Sequence, residues 1–268
     1  MTYLGVAGWP VAHSRSPAMH NAALAAAGLH DWRYLALPLP PERFAGTVRA
    51  LPAAGFRGIN VTIPHKEAAL AMATEATEVA AAVGAANTLT FGPGGSVHAD
   101  NTDVPGLLES LPIDPAGRTA LVLGAGGAAR AAVYALHSAG AGEILVWNRT
   151  RERAERLVAE LGGRAVDAPE DATLIVNCTS VGLREDDQPF KSMHLDADTL
   201  IVGSCVVDMV YKPGGTALLA EASRRGASVV TGIEILIAQG AASFGRWTGK
   251  TASRDAMRAA VAETAQNR

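Results

Sequence analysis

The chain has 268 residues, 49% of them hydrophobic and 18% charged, with a formal net charge of −3. This length suits one large domain or two medium ones, and the composition is that of an ordinary soluble globular protein. The charge balance gives no basic footprint for nucleic acid or an anionic membrane, and no uninterrupted apolar run is long enough to span a bilayer.

The N-terminus, MTYLGVAGWP, lacks a basic region followed by an apolar one, so a cytoplasmic protein is expected. Tyr3–Gly8 reads as a short buried strand. Ser16–Ala27 reads as a helix, with Ser16 as N-cap and Pro17 at the first helical position. A strand is expected at Arg33–Leu37 and a helix at Pro41–Ala53. Gly58–Ile63 alternates Ile59, Val61 and Ile63 with Asn60 and Thr62, the period of a strand with one buried face. Pro64 should end that strand and suit the first turn of the next helix. Lys66 then stands just past a strand end, where open α/β sheets place their ligands, and a lysine there can act as acid, base or cationic clamp. Glu67–Ala82, rich in Ala and Glu, reads as one helix. Asn87–Phe91 and Val97–Ala99 flank the turn PGGS and read as a hairpin.

After the Pro/Asp/Gly-rich stretch Pro112–Gly117, the pattern becomes strand Arg118–Leu123, helix Ala128–Ala139, strand Glu143–Trp147, helix Arg151–Leu161 and strand Leu174–Asn177. Strand Leu200–Val207, helix Thr216–Arg225 and strand Ser228–Val230 follow, and helices Ile233–Trp247 and Ser253–Ala265 close the chain. Such alternation argues for a parallel sheet built of right-handed crossovers. Cys178 and Cys205 lie in apolar strand-like runs and read as small buried residues in a reduced compartment. His13, His20 and His65 are not at metal-ligand spacing, so no metal is expected.

The run Gly124-Ala125-Gly126-Gly127-Ala128-Ala129 follows a strand and opens a helix. In that context Gly124 permits the tight turn, Gly126 admits a pyrophosphate close to the backbone, and Ala129 serves as the third small position. The helix N-terminus offers free N–H groups and a positive dipole end to phosphates. About twenty residues on, where an NAD site carries an acid, the chain reads Asn148-Arg149-Thr150. A guanidinium there suits a ribose 2′-phosphate, and Arg153 can share the same face, so the cofactor expected is NADP(H). The competing reading is a solvated helix start made of Arg149, Arg151, Arg153 and Arg156.

The motifs HSRSPAMHNAAL, NVTIPHK, GAANTL, DNTD, GAGGAARA, NRT, NCTSVG, VVDMVYKP and QGAASFGRWTG occur in this order over nearly the whole chain. Together they make the sequence resemble the shikimate dehydrogenase family. The resemblance implies an N-terminal α/β substrate domain (1–102) and a Rossmann-type, doubly wound dinucleotide-binding domain (103–239), with the last helical stretch, about 240–268, returning to the first domain. It implies NADPH-dependent reduction of 3-dehydroshikimate to shikimate, on the route to chorismate and the aromatic amino acids. The implied partner is a small-molecule substrate, with no nucleic acid and no membrane, and the protein would be a monomer or homodimer.

By the same resemblance, Ser14 and Ser16 hold the substrate carboxylate, and Asn60, Thr62, Lys66, Asn87, Asp103 and Gln239 surround the ring hydroxyls and the reacting centre. Lys66 and Asp103 are the catalytic pair, and Tyr211 lines the junction between domains. Gly124, Ala125, Gly126, Gly127, Ala128, Asn148, Arg149, Thr150 and Arg153 match the NADP positions, and Met209 and Gly232 match positions near the nicotinamide. The residues also admit plainer roles: helix capping for Ser14, Ser16 and Asp103, a turn for Asn87, and a helix-start structural role for His65. The chain departs from the family pattern at Thr231-Gly232-Ile233-Glu234-Ile235-Leu236, where members often read Asp-Gly followed by a Met. The alternatives are a broader quinate/shikimate dehydrogenase, or a non-catalytic NADP-binding sensor on the same fold.

Overall fold

The computed structural model describes residues 1–200, 202–212 and 214–266. Ile201, Pro213, Asn267 and Arg268 lie outside the described residues. The strand expected over Leu200–Val207, the motif VVDMVYKP and the C-terminal stretch to 268 are therefore described only in their remaining positions. The chain divides into two compact units, 1–106 with 236–268, and 107–235.

The first unit is built on β1 (Thr2–Gly8), α1 (Ser16–Ala26), β2 (Trp32–Pro38), α2 (Pro41–Ala50), β3 (Phe56–Val61), α3 (Lys66–Ala71), β4 (Glu75–Ala76), α4 (Glu78–Val83), β5 (Thr88–Phe91) and β6 (Val97–Asp100). Helix α5 (Asp103–Ser110) begins in this unit. The sheet runs β2-β1-β3-β5-β6-β4. Its β2, β1 and β3 are parallel, and β5 pairs antiparallel with both β3 and β6, as the expected hairpin requires. Alternation along β3 and β5 sends Ile59, Val61 and Leu89 into a core with Phe44 and Val48.

The second unit contains β7 (Thr119–Leu123), α6 (Gly127–Ser138), β8 (Glu143–Trp147), α7 (Arg151–Leu161), β9 (Arg164–Ala165), β10 (Leu174–Asn177), α8 (Pro189–Ser192), β11 (Cys205–Asp208), α9 (Ala217–Arg224) and β12 (Ser228–Thr231). The order is β12-β11-β10-β7-β8-β9, and every pairing is parallel. The chain starts in the middle of the sheet at β7, winds outward one way, then returns to β10 on the other side. This is the doubly wound dinucleotide-binding arrangement, with its reversal point between the C-terminal ends of β7 and β10. The apolar runs of β7 and β10 bury Leu121, Leu123 and Ile175, as strands covered on both faces must.

Helices α10 (Gly232–Thr248) and α11 (Arg254–Gln266) follow. From Leu236 onward the chain belongs to the first unit, where Arg15 Nη1 donates to the Val261 carbonyl at 3.3 Å. This division puts Asp103 and Gln239 with Lys66 in the first unit, whereas boundaries at 102/103 and 239/240 would assign both to the second.

Four local expectations are corrected. The expected helix Glu67–Ala82 is two helices, α3 and α4, separated by β4, because Thr74 and Thr77 bond to the β6 backbone and pull the chain onto the sheet edge. Strand β3 ends at Val61, two residues before Ile63. Pro64 precedes α3 instead of opening it, and the N-cap of α3 is His65. Ser16 does not cap α1: the N-cap is Arg15, and it is the Ser14 hydroxyl that accepts an N–H, that of Ser16, at 3.3 Å. The strand expected over Leu200–Val207 begins only at Cys205, after the break at Gly203-Ser204. The buried cysteines are as expected.

Beneath α10, His20 is fully buried and stacked on Tyr34, with centroids 4.2 Å apart. Among the described residues neither ring nitrogen has a partner within hydrogen-bonding geometry; burial pushes its pKa down to about 3 from 6.5, and Asn60 nearby opposes the shift only in part. The fold therefore holds His20 neutral. As pH falls below about 6.5 the unfolded chain takes up a proton that the fold refuses, and stability is lost until about pH 3. The slope for one such group is at most about 1.4 kcal/mol per pH unit. The variant His20→Phe keeps an aromatic in the stack and removes the titration. Its urea midpoint relative to wild type should rise progressively from pH 7 to pH 4, and parallel curves would refute a neutral buried imidazole.

Candidate functional site

In the first unit, α3 starts a short turn after the end of β3, and α5 starts a short turn after β6. Their first residues are Lys66 and Asp103, and Lys66 Nζ lies 2.6 Å from Asp103 Oδ2. Both side chains keep only a little exposure, 12% and 14%. The pair is thus largely shielded from solvent screening yet still reachable by a ligand.

Asn87 fixes the pair. Its Nδ2 donates to Asp103 Oδ1 at 2.8 Å, to Thr102 Oγ1 at 3.0 Å and to Gln239 Oε1 at 3.4 Å. Its Oδ1 accepts from the Thr102 N–H at 2.8 Å and from the Thr88 hydroxyl at 2.9 Å. The two carboxylate oxygens of Asp103 therefore have separate partners, one cationic and one neutral. Asn101 Oδ1 accepts the Asp103 N–H at 3.1 Å, so Asn101, not the Asp103 side chain, caps the start of α5. Gln239 can reach the group because Gly106 lets α10 approach: a Cβ there would lie 2.8 Å from Gln239 Cβ and 2.9 Å from its backbone N.

Asn60 stands one layer behind. Its Nδ2 donates to the Asn87 carbonyl and Thr88 Oγ1, each at 3.2 Å, and its Oδ1 accepts from Tyr34 Oη at 2.8 Å. Both sides of that amide are spent inside the protein. Thr62 is half-buried, with its hydroxyl unpartnered among the described residues. Ser14 and Ser16 lie at the start of α1, and among the described residues no hydrogen bond joins them to the Lys66–Asp103 group. His65 is a structural residue: it is buried, stacked on Phe44 at 4.3 Å, and its Nε2 is 2.7 Å from the Leu39 carbonyl oxygen.

In the second unit, β7 is followed at once by Gly124, whose φ of +110° strains any residue with a Cβ. It sits at the reversal point, where a Cβ would come within 3.2 Å of Cys178 and of Thr179 Cγ2. Gly126 faces open space and is the N-cap of α6, whose first turn carries no acid and no side-chain cap. An uncapped, acid-free helix start opening on free space fits a pyrophosphate. After β8, Asn148 Nδ2 donates to the Thr150 carbonyl at 2.8 Å and shapes the turn. Arg151 pairs with Glu155 and Asp167. The exposed side chains of Arg149 and Arg153 have no partner among the described residues. Of these four arginines, Arg151 is therefore held in ion pairs, whereas Arg149, Arg153 and Arg156 are exposed and have no partner among the described residues. After β11, Met209 and Gly232 come together, and a Cβ on Gly232 would meet the Met209 oxygen at 2.7 Å. Tyr211 follows in the same segment, half-buried.

Family models cover most of the chain. Residues 6–89 match the shikimate dehydrogenase substrate binding domain, 109–178 match shikimate / quinate 5-dehydrogenase, and 232–262 match the shikimate 5′-dehydrogenase C-terminal domain. The chain is 44% identical to a shikimate dehydrogenase (NADP(+)) of Paracoccus denitrificans, over 92% of this chain and 90% of that one. The chain belongs to the shikimate dehydrogenase family. A relative of the same name from Methanopyrus kandleri is also 44% identical, over 97% of this chain and 94% of its own length. The crystal structure of the Thermus thermophilus shikimate 5-dehydrogenase in complex with NADP(H) and shikimate superposes with a TM-score of 0.87, at 42% identity, over 98% and 99% of the two chains. Among the described residues, no group of three or more His, Cys, Asp or Glu could hold a metal ion, and no helix is long and apolar enough to cross a membrane.

The sequence does not single out the residues that scaffold the Lys66–Asp103 group: Tyr34, Thr88, Asn101 and Thr102. Two of them stand inside the motif DNTD, so the signal was present, but only the fold shows that Asn101 and Thr102 point at neighbours of Asp103. Asn87 and Thr62 should separate in experiment. Asn87→Ala strips a buried hub and leaves donors and acceptors unpaired, costing about 1–3 kcal/mol in denaturant titration. Thr62→Val removes a hydroxyl without a protein partner and should stay within about 0.5 kcal/mol of wild type. A large loss for Thr62→Val would mean that its hydroxyl is structural.

Proposed function

We propose that the protein reduces 3-dehydroshikimate to shikimate, reversibly, with NADPH as hydride donor. The observation that carries this reading is the Lys66–Asp103 pair, 2.6 Å apart and largely shielded, at the start of two helices that follow sheet strands. A small polyhydroxy acid needs short hydrogen-bonding groups more than aromatic walls, and Ser14, Ser16, Thr62, Asn87 and Gln239 supply them.

Ser14 and Ser16 receive the substrate carboxylate. Thr62 and Gln239 meet ring hydroxyls. Asn60 acts through Asn87, since its own amide is already engaged. Bound NADPH supplies a hydride to the ketone carbon. The Lys66 ammonium stabilises the alkoxide oxygen that develops and can donate the proton it needs. Asp103 holds the ammonium in place with one oxygen while Asn87 steadies the other, so the lysine is aimed before substrate arrives. Gly124 to Ala128 cradle the pyrophosphate, Asn148 and Thr150 shape the adenosine turn, and Arg149 with Arg153 binds the 2′-phosphate.

The rivals differ in a simple assay that follows absorbance of the reduced nicotinamide with shikimate, quinate or no added alcohol. Turnover with shikimate above quinate supports the reading. Equal use of quinate supports the broader dehydrogenase, and NADP binding without turnover supports the sensor.

Two substitutions test the roles. Lys66→Met keeps the stem and removes the ammonium, and kcat should fall about 10²–10⁴-fold with a much smaller change in KM for shikimate. Turnover near that of wild type would remove Lys66 from the chemistry. Arg149→Ala should raise KM for NADP about ten- to hundredfold and leave NAD use nearly unchanged. Equal losses with both cofactors would show that Arg149 does not read the 2′-phosphate.

A further inference from the structure

The second unit holds a carboxylate that the reaction does not use. Asp208, the last residue of β11, is fully buried and has no cationic partner among the described residues. Its Oδ1 accepts from Asn177 Nδ2 at 2.9 Å and from the Val210 N–H at 3.0 Å, and its Oδ2 accepts from the Thr216 hydroxyl at 2.6 Å. We propose that Asp208 is a positioning residue for the nicotinamide end of the cofactor site, acting through the Met209–Val210 backbone. The proposal rests on the reading of Met209 and Gly232 as nicotinamide-end positions.

The ladder between β10 and β11 ends at the pair Asn177–Asp208. One further bond follows, from the Met209 N–H to the Asn177 carbonyl at 3.0 Å. The next donor, Val210 N–H, is past the sheet, and the Asp208 carboxylate takes it in place of a strand. This is a short side-chain-to-backbone turn of the kind Asp forms readily. It sets the carbonyl oxygens of Met209 and Val210 against Gly232, where a Cβ would come within 2.7 and 2.8 Å of them. The direction of the chain at Met209 is therefore fixed from both sides.

The same carboxylate reaches two other segments. Thr216, which it holds through Oδ2, is the N-cap of α9. Asn177 also donates to the Val181 carbonyl at 3.2 Å, and its Oδ1 accepts the N–H and hydroxyl of Thr179 at 3.0 and 2.7 Å. Thr179 Cγ2 in turn lies against Gly124. An unbroken series of contacts thus runs from the pyrophosphate turn to Met209, with Asp208 as the junction. Burial pushes its pKa up, and the three hydrogen bonds oppose that shift. Each partner is a neutral donor, so the role is geometric.

The experiment compares wild type, Asp208→Ala, Asp208→Asn and Thr216→Val by calorimetric titration with NADP⁺ and with 2′,5′-ADP, which carries the adenosine half alone, and by steady-state turnover. Asp208→Ala should weaken NADP⁺ about tenfold or more, the effect of losing one or two buried hydrogen bonds, while 2′,5′-ADP affinity changes less than about threefold. In turnover kcat should fall, with KM for shikimate little changed. Asp208→Asn should recover most of the loss, because its oxygen can accept from Asn177 and Val210 while its NH₂ faces Thr216 Oγ1. Thr216→Val removes one contact without cutting the hub and carries the test if Asp208→Ala does not fold. Parallel weakening of NADP⁺ and 2′,5′-ADP, or weakening of neither, overturns the positioning role. Failure of wild type to bind either ligand overturns the cofactor reading instead.

Discussion

The contact on which the first unit depends is the 2.6 Å pair between Lys66 and Asp103. Neither residue is placed by its own element alone. Lys66 is delivered by the end of β3 and Asp103 by the end of β6, and β5, which carries Thr88, lies between those strands. Asn87, immediately before β5, is therefore the natural bridge. Its amide spans from the Thr102 backbone to Asp103, and its main chain pairs with Val61 and Asp100 on either side. An amide suits this place because it presents donors on one side and an acceptor on the other without adding charge. A carboxylate here would confront Asp103, and an apolar residue would orphan the Thr102 N–H.

Much of this was legible in the sequence because the reactive groups sit at strand ends that periodicity locates. The alternation Ile59, Val61 marks β3, and Lys66 follows it at a fixed short distance. The glycine run after an apolar strand, together with the absence of an acid at Arg149, marks both the fold of the second unit and its cofactor. The illegible parts share one cause: they were decided by neighbours distant in sequence. The break between α3 and α4 depends on Thr74 and Thr77 bonding to β6, although Glu67–Ala82 has unbroken helical composition. Ser16 looks like a cap, but the hydroxyl that meets an α1 N–H is that of Ser14. The assignment of Asp103 and Gln239 to the first unit depends on a close approach at Gly106 that composition does not show.

Asp103 and Asp208 show how one side chain can serve opposite ends. Asp103 faces an ammonium and keeps some exposure, so its charge is balanced in place and remains available to a ligand. Asp208 has no exposure and, among the described residues, no cation: an amide, a backbone N–H and a hydroxyl offset its desolvation. Burying an unpaired carboxylate is costly unless every oxygen is hydrogen-bonded, and three donors converging on Asp208 meet that condition. The cost is reasonable only where geometry must be fixed more tightly than apolar packing can fix it. Packing is insensitive to small rotations of the backbone, whereas a hydrogen bond weakens steeply as its angle opens. The segment after β11 is such a place. It leaves the sheet, loses its ladder partners at once, and must still present Met209 and Val210 to Gly232 with no room for error. A directional acceptor at the last strand residue answers that need, and leucine or valine at Asp208 could fill the volume but could not orient the chain.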